Sequence, residues 1–381
     1  MNRVSVAECI GYNEDEISRA VGIHFQSLDI KSKLKDNMTI VIKPNLLMRR
    51  KPDEFTTTHP AVVAAIIKKL KEFGNFHITI ADSPGGLYNK TQLKAIYSAS
   101  GMESLSESLN VSLNYDTGYQ PVSNDDNKII KTFNIINPLA EADFIINVAK
   151  LKTHCMTGLS GGVKNMFGAV PGLMKPELHY RFPDKYNFCN MLVDLSNTIK
   201  SDVTFVDAIE SMEGNGPSGG NKKITNRIFA SYSPFNLDIV LCDFLKLDKN
   251  NILTVKAAID RGFCEDSVDK IEIIGQPDKY FPVNNFKKPD SHSIDFITNI
   301  PKPLRPTAKF ISEKLLKPKP VIINKKCIGC GKCAESCPAN TILIENKKAF
   351  ISYKDCIKCF CCHEMCPVLA IKVKRTSLFD I

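Results

Sequence analysis

The 381-residue sequence lacks the long apolar runs and simple repeats that mark membrane and fibrous proteins. It has no stretch of about 18 apolar residues, which excludes a helix that spans a bilayer. It has no Gly-X-Y repeat or dominant heptad run, and its hydrophobic content of 43% is too high for general disorder. The N-terminus, MNRVSVAECIGYNEDE, becomes acidic before an apolar signal core can form. We therefore expect a cytoplasmic protein without a secretory signal.

Cysteine and net positive charge are scarce in the first three quarters of the chain and concentrated in the last quarter. Residues 1–286 contain 32 basic and 33 acidic side chains, whereas residues 287–381 contain 18 basic and 8 acidic ones. Nine of the 14 cysteines lie between Cys327 and Cys366, and the other five stand singly. A secreted disulfide scaffold spreads its cysteines through a short chain, so this clustering predicts a metal site instead.

The clustered cysteines follow a duplicated spacing. The pattern C-x2-C-x2-C-x3-C, followed directly by proline, occurs twice with 18 residues between the two runs. Short β-like runs flank each cysteine loop, as in a small repeated α+β unit. The first run is Cys327, Cys330, Cys333 and Cys337, and the second is Cys356, Cys359, Cys362 and Cys366.

This duplicated run resembles the bacterial two-cluster ferredoxins over roughly residues 321–375. The resemblance implies a small ferredoxin-like α+β module with two [4Fe–4S] clusters, in which the fourth cysteine of each run binds the other cluster. Two four-cysteine zinc sites are the alternative, although zinc usually takes two cysteine pairs separated by a longer gap. Cys361 is interpreted as a neighbour of a cluster and not as a ligand. The implied ligand sets are Cys327, Cys330, Cys333 and Cys366 for one cluster, and Cys356, Cys359, Cys362 and Cys337 for the other.

The positive charge of the last quarter has two interpretations. Each oxidised cube with four thiolates carries about −2, so two clusters would offset roughly four positive charges. The remainder would steer a soluble electron donor or acceptor, such as an acidic ferredoxin or flavodoxin-like protein, or would serve only solvation. Residues 287–320 contain six prolines and are predicted to be a basic linker with one short helix at Pro306–Leu316. Nucleic-acid binding is not expected, because the linker lysines alternate with prolines.

Ahead of the linker, residues 1–286 alternate apolar strand-like runs with helical patterns. This alternation predicts an α/β domain with a mostly parallel sheet and helices on both faces. Ligands of such sheets bind beyond the carboxyl ends of the strands. Strands are expected at Val4–Ala7, Thr39–Ile42, His77–Ala81, Phe144–Val148 and Val203–Val206, and helices between Thr58 and Gly74 and at Asn187–Lys200 and Pro234–Leu247.

Polar segments stand after four of these strands and at the start of one helix. They are KPNL (43–46), TTTHP (56–60), ADSPGG (81–86), AKLKTH (149–154), GGVKNMFG (161–168) and EGNGPSGG (213–220). Together they resemble a large prokaryotic family of domains of unknown function, family 362. The resemblance covers about residues 4–275 plus the cluster module, since members often carry a two-cluster ferredoxin segment at the C-terminus. It implies an iron–sulfur protein with a redox role and no settled substrate, and a fainter similarity joins the N-terminal half to lactate-racemase-type nickel enzymes.

Candidate site residues come from these segments. Converging lysines favour a carboxylate or phosphate in a partly dry cleft, although each could be a solvated surface lysine. A histidine suits general acid or base catalysis, an aspartate could orient that base or form a local turn, and amides could donate to a developing oxyanion or to their own loop. His59 could instead cap a helix. The predicted catalytic residues are His154, Asp82, Lys164 and Asn165, and the predicted substrate-binding residues are Lys43, Asn45, His59, Lys152 and Asn215.

One glycine-rich segment formally matches a dinucleotide-binding motif. Gly214–Gly219 matches G-x-G-x-x-G, but Pro217 lies inside the match and a strand-like run follows where a helix is required. We therefore do not expect a dinucleotide there, and the sequence identifies neither a flavin nor a further metal.

The sequence is compatible with three functions. The leading hypothesis is an iron–sulfur oxidoreductase whose two clusters relay electrons to an anionic substrate or cofactor bound by the α/β domain. The second is a non-catalytic electron-transfer or adaptor subunit of a larger redox complex. The third is a non-redox enzyme in which the clusters are structural or act as sensors.

Overall fold

The computed structural model describes residues 2–290 and 318–374. The first part contains the strands β1 Arg3–Glu8, β2 Thr39–Pro44, β3 His77–Ile80, β4 Ser112–Leu113, β5 Tyr119–Ser123, β6 Thr132–Ile136, β7 Phe144–His154, β8 Gly158–Ser160, β9 Val203–Glu213, β10 Asn221–Ser231 and β11 Glu272–Gly275. Its α-helices are α1 Glu14–Ser27, α2 Pro60–Lys71, α3 Lys90–Ser100, α4 Met102–Leu109, α5 Asn137–Ala140, α6 Gly162–Asn165, α7 Met174–Arg181, α8 Lys185–Thr198, α9 Pro234–Phe244 and α10 Leu253–Asp260. The second part contains β12 Lys319–Ile322, α11 Lys332–Glu335, β13 Ile342–Glu345, β14 Lys348–Ile351, α12 Cys361–Glu364 and β15 Ile371–Lys374.

A nine-stranded mixed sheet forms the centre of the first part. Its order is β11-β1-β10-β9-β7-β2-β3-β4, and β8 pairs with β7 at the side of this path. Five strand pairs are parallel, and the pairs β1–β10, β9–β10 and β7–β8 are antiparallel. The predicted α/β class with a mostly parallel sheet is therefore confirmed.

Helices cover both faces of the sheet, because successive strand residues point to opposite sides. Ile40 and Ile42 of β2 enter a core shared with α1 to α4. Val41, between them, enters a separate core formed with α8. A further core packs β1, β9 and β10 against α9 and α10 on the same principle. The continuous apolar runs of these strands follow from burial on both faces.

Strands β2, β7 and β9 extend two or more residues beyond the ends that the sequence predicts, and this changes the position of several candidate residues. β2 continues from Ile42 to Pro44, so Lys43 lies within it. β7 continues from Val148 to His154, so Lys150 and Lys152 lie within a strand and not in a loop after it. The extension is supported by β8, which folds back and pairs antiparallel with Lys152–His154. β9 likewise continues to Glu213, where β10 pairs with it from Asn221. As expected, a strand and not a helix follows the glycine-rich motif.

The second part is a small α+β module. β12 pairs with β15 and β13 pairs with β14, both antiparallel, so each cysteine run lies between members of two small sheets. Of the predicted linker 287–320, residues 291–317, with the predicted helix Pro306–Leu316, lie outside the described residues. Across residues 2–290 and 318–374, helices are too short or too polar to cross a bilayer.

Candidate functional site

The cluster module meets the carboxyl edge of the large sheet at an internal cavity of about 80 Å³. The segments after β2 and β3 and the helices α6 and α7 form one side of it, and the module forms the other. Four of the predicted residues therefore share one site. The α/β lining includes Asn45, Asp82, Lys164, Asn165, Lys175 and His179, and the module contributes Ser336, Cys361, Glu364 and Met365.

Close backbone contacts hold the module against the large domain. Ser218 Oγ donates a hydrogen bond to Glu364 O at 3.0 Å, and His363 Nε2 lies 3.1 Å from Asn215 O. A Cβ atom added at Gly85 would lie 2.5 Å from Met365 Sδ, so a larger residue here would force the Met365 side chain to move. The motifs around residues 85 and 215 therefore serve the domain interface.

Asp82 lines the cavity in a buried ion pair with Lys43. Lys43 Nζ donates to Asp82 Oδ1 at 2.7 Å, and the Leu46 amide donates to Asp82 Oδ2 at 2.9 Å. Both side chains are almost fully buried. The ammonium group of Lys43 is thus paired with Asp82, and Lys43 does not line the cavity.

Lys152 begins a chain of side-chain hydrogen bonds that fixes the two predicted asparagines. Lys152 Nζ donates to Asn45 Oδ1 at 2.8 Å and to Thr56 O at 2.6 Å. Asn45 Nδ2 donates to Asn165 Oδ1 at 2.7 Å, and Asn165 Nδ2 donates to Asn147 Oδ1 at 2.7 Å. Burial, helped by the charge of Lys164, lowers the pKa of Lys152 to about 7. Lys152 therefore positions the amides from behind the cavity wall.

His154 reaches the cavity through Glu364 of the module. Its Nδ1 accepts the Met156 amide at 3.1 Å, so the ring proton of the neutral form lies on Nε2, which is 3.0 Å from Glu364 Oε1. Burial lowers the pKa of His154, and Glu364 opposes this shift. Burial alone would raise the pKa of Glu364, but His154 and Lys164 lower it to about 2. The carboxylate that completes the predicted histidine site thus comes from the cluster module.

Lys164 lies at the cavity with its ammonium group over the ring of Phe167, 4.5 Å from the ring centroid. Burial lowers the pKa of Lys164, whereas the Glu364 carboxylate raises it. Among the described residues it makes no hydrogen bond. Its charge is therefore available to a ligand.

Sequence reasoning missed Lys175 and His179 on α7. Lys175 Nζ donates to Ser83 Oγ at 3.0 Å and to Pro84 O at 3.2 Å, and burial lowers its pKa to about 7. The ring of His179 stacks on Phe188 with 4.2 Å between centroids. The i, i+4 spacing of the two residues on one helix face is the signal that could have identified them.

Two predicted residues lie away from the cavity. His59 caps α2, since its Nδ1 accepts the Ala61 amide at 3.2 Å, and its ring stacks on Tyr12 at 3.7 Å. Burial lowers the pKa of His59 to about 4. The side chain of Asn215 donates to Asp290 Oδ2 at 2.7 Å and accepts the Asp290 amide at 2.9 Å. The backbone carbonyl of Asn215 contacts His363 of the module.

The cysteines of the module surround two separate small cavities. The two linings combine cysteines from both runs, so that each cavity has three from one run and one from the other. In the described residues, no three His, Cys, Asp or Glu side chains converge closely enough for a single metal ion. One cavity is lined by Cys327, Cys330, Cys333 and Cys366, and the other by Cys337, Cys356, Cys359 and Cys362.

Two family models match separate segments of the chain. Residues 40–243 match the family described as Domain of unknown function (DUF362), and residues 319–367 match the 4Fe-4S dicluster domain. A thylakoid-associated protein of Synechocystis sp. is 30% identical over 286 residues, which are 74% of this chain and 86% of that protein.

Two solved structures give weaker similarities. The lactate racemase apoprotein from Thermoanaerobacterium thermosaccharolyticum aligns with a TM-score of 0.40 and 16% identity, over 63% of this chain and 57% of that chain. A Thermotoga maritima protein aligns with a TM-score of 0.32 and 14% identity, over 54% of this chain and 52% of that chain. This chain thus spans just over half the length of each.

Proposed function

We propose that this chain, which belongs to the DUF362 family and carries a 4Fe–4S dicluster domain, is an iron–sulfur oxidoreductase acting on a small anionic molecule in the cavity between its two parts. The cavity itself supports this proposal most directly. Its lining joins Lys164 of the α/β domain to Cys361, which is adjacent to the cysteine Cys362 of the module. Electron transfer is fastest over short distances, so a ligand held here is well placed for it.

The cysteines that line the two module cavities are the proposed ligands of two [4Fe–4S] clusters. The cavity linings support this assignment, because each combines three cysteines of one run with the fourth cysteine of the other. Clusters in these positions supply one-electron transfer. We keep Cys361 as a neighbour, because it lines the interface cavity and neither of the cysteine cavities.

The proposed electron-transfer partner is an acidic protein of ferredoxin or flavodoxin type. Cys330 is exposed, Ile328 beside it is 59% exposed, and residues 318–374 carry ten lysines against four acidic side chains. Opposite charge on the partner would steer its encounter with this face. The rate of reduction by such a protein should therefore fall as salt rises, and a rate independent of salt would contradict this assignment. The predicted cytoplasmic location remains a prediction, since thylakoid association describes the relative.

Some residues are proposed to contact the ligand, and others to position the residues that contact it. Lys164 and Asn165 are proposed to contact the anion, and Asp82 and Asn45 to shape the same wall. Lys43 and Lys152 act from behind, through their hydrogen bonds to Asp82 and Asn45. His154 and Glu364 together are proposed to hold the proton that the reaction gains or releases.

An anaerobic assay tests this function. Cluster-loaded protein is reduced and mixed separately with small oxo acids, other carboxylates and inorganic oxyanions, and cluster reoxidation is followed by visible absorbance. Lys164→Met should abolish reoxidation by the active compound and leave the cluster spectrum intact. Lys200→Met, which removes an exposed lysine, is the matched control. Wild-type turnover by Lys164→Met would contradict the assigned role.

A further inference from the structure

Helix α7 exposes Glu177 and Arg181, as a surface helix ordinarily does, but it buries a lysine and a histidine. Lys175 and His179, four residues apart, are 9% and 3% exposed, whereas Tyr180 is 58% exposed. His179 packs between aromatic rings, but apolar packing does not account for a buried lysine on a cavity wall.

Within residues 2–290 and 318–374, Lys175 has no carboxylate as a hydrogen-bond partner. Its ammonium group donates there to a hydroxyl and a backbone carbonyl, which are neutral acceptors. A buried charge is costly unless it is paired. The nearby carboxylates have other contacts, since Asp82 is paired with Lys43 and Glu364 lies against His154. An anion in the cavity would supply the missing charge.

His179 adds a neutral group with an unused hydrogen-bonding atom. Its ring is held between Phe188, on which it stacks, and the edge of Phe167 at 5.7 Å. Its Nδ1 is buried and has no hydrogen-bond partner among the described residues. Buried polar atoms in proteins are nearly always hydrogen-bonded, so this atom, in a residue that lines the cavity, leaves one hydrogen bond for a water or a small ligand to complete.

The dimensions of the cavity limit the size of that ligand. Its volume of about 80 Å³ lies far below the roughly 300–1,000 Å³ of pockets for drug-sized molecules. Gly85 and Gly168 do not enlarge it, because the space beside them is filled by Met365 and by the Lys43–Asp82 pair. Such a space holds only a few non-hydrogen atoms.

We infer that the cavity is a binding site for a small monocarboxylate, of the size of formate or acetate, held between Lys164 on one wall and Lys175 and His179 of α7 on the other. This inference rests on the proposed function for its location and adds the class of ligand and the two residues of α7. A planar carboxylate offers two oxygen atoms, which suits donors that approach from two walls.

Isothermal titration of the oxidised, cluster-loaded protein with acetate tests the inference. The chain has no tryptophan, so heat is a more direct signal than intrinsic fluorescence. Lys175→Met and His179→Phe should each weaken acetate binding by about tenfold or more, because each removes a hydrogen bond to a charged ligand. His179→Phe keeps the stacking on Phe188. His179→Asn, which retains a donor near Nδ1, should stay within about threefold of the wild type.

The controls separate ligand binding from folding and from redox function. Lys200→Met should bind acetate like the wild type, and visible and circular dichroism spectra should report intact clusters and fold in every variant. Unchanged acetate affinity in both Lys175→Met and His179→Phe would overturn the inference, as would equal affinity for sulfate or a dicarboxylate. Acetate binding requires no electron donor. Normal binding without electron transfer to any compound would therefore refute the proposed function and leave this inference intact.

Discussion

Replacing Asp82 by asparagine measures how strongly the buried ion pair beneath the cavity stabilises the protein. The side chains of Lys43 and Asp82 are 0% and 4% exposed, and Lys43 Nζ lies 2.7 Å from Asp82 Oδ1. Asp82→Asn leaves Lys43 as an unpaired buried charge, and removing one partner of a buried pair costs about 3–5 kcal/mol. Each kcal/mol lowers the Tm of a large domain by about 2–4 °C, so we expect a fall of about 6–20 °C.

Thermal unfolding of the cluster-loaded protein, followed anaerobically by circular dichroism, measures this change. Asp260→Asn is the matched control, because it breaks the Lys256–Asp260 pair, in which both side chains are 39% exposed. Such a surface pair contributes at most about 1 kcal/mol. Lys43→Met combined with Asp82→Leu should recover much of the lost stability, since replacing both partners by apolar residues is often nearly neutral. A Tm for Asp82→Asn equal to that of Asp260→Asn would refute the reasoning.

Three further predictions concern the clusters, the interface and the cavity. Cys330→Ser should reduce the iron and sulfide content or change the electron paramagnetic resonance signal of one cluster, whereas Cys361→Ser should retain both clusters; an altered content in Cys361→Ser would make it a ligand. Gly85→Ala should speed amide hydrogen exchange in α12, because its Cβ would meet Met365 Sδ at 2.5 Å. Adding Met365→Ala to the same chain should restore the wild-type exchange rate. Fast exchange that persists in the double variant would show that this contact is not the cause. Acetate binding at pH 8 should take up protons, because burial lowers the pKa of Lys175 to about 7 and a bound carboxylate raises it again. Titrations in HEPES and Tris report this uptake, and equal uptake by Lys175→Met would assign the proton elsewhere.

The parts of the site that could be predicted from sequence are those that depend on local pattern. Strands β2 and β3 were recognisable from their apolar runs, and residues that follow parallel strands must meet at one edge of the sheet. The pattern therefore predicts that Asn45, Asp82, Lys164 and Asn165 lie near one another, and all four line the cavity. His59 satisfied the same pattern equally well, yet it caps α2 and stacks on Tyr12. The sequence pattern alone does not indicate whether a side chain that follows a strand points into the cavity or away from it.

The strand ends were less predictable, and this affected the positions of Lys152 and His154. β7 continues past Val148 because β8 folds back on it, and this pairing joins residues separated by a turn. Lys152 consequently lies behind Asn45, and His154 reaches the cavity only through Glu364. The i, i+4 positions of Lys175 and His179 were visible in the sequence, but nothing local indicated that this face of α7 is buried.

The sequence by itself determined the iron–sulfur module, because the geometry of a cluster loop depends on residues that are three or four positions apart. It also determined the α/β class, because burial on both faces of a sheet leaves continuous apolar runs in the strands. Only the tertiary structure decided where the two parts meet. Glu364 lies beside His154, and Cys361 lies on the same cavity wall as Lys164, although about 200 residues separate them in the chain. Such contacts result from the docking of two folded surfaces, which local spacing does not encode.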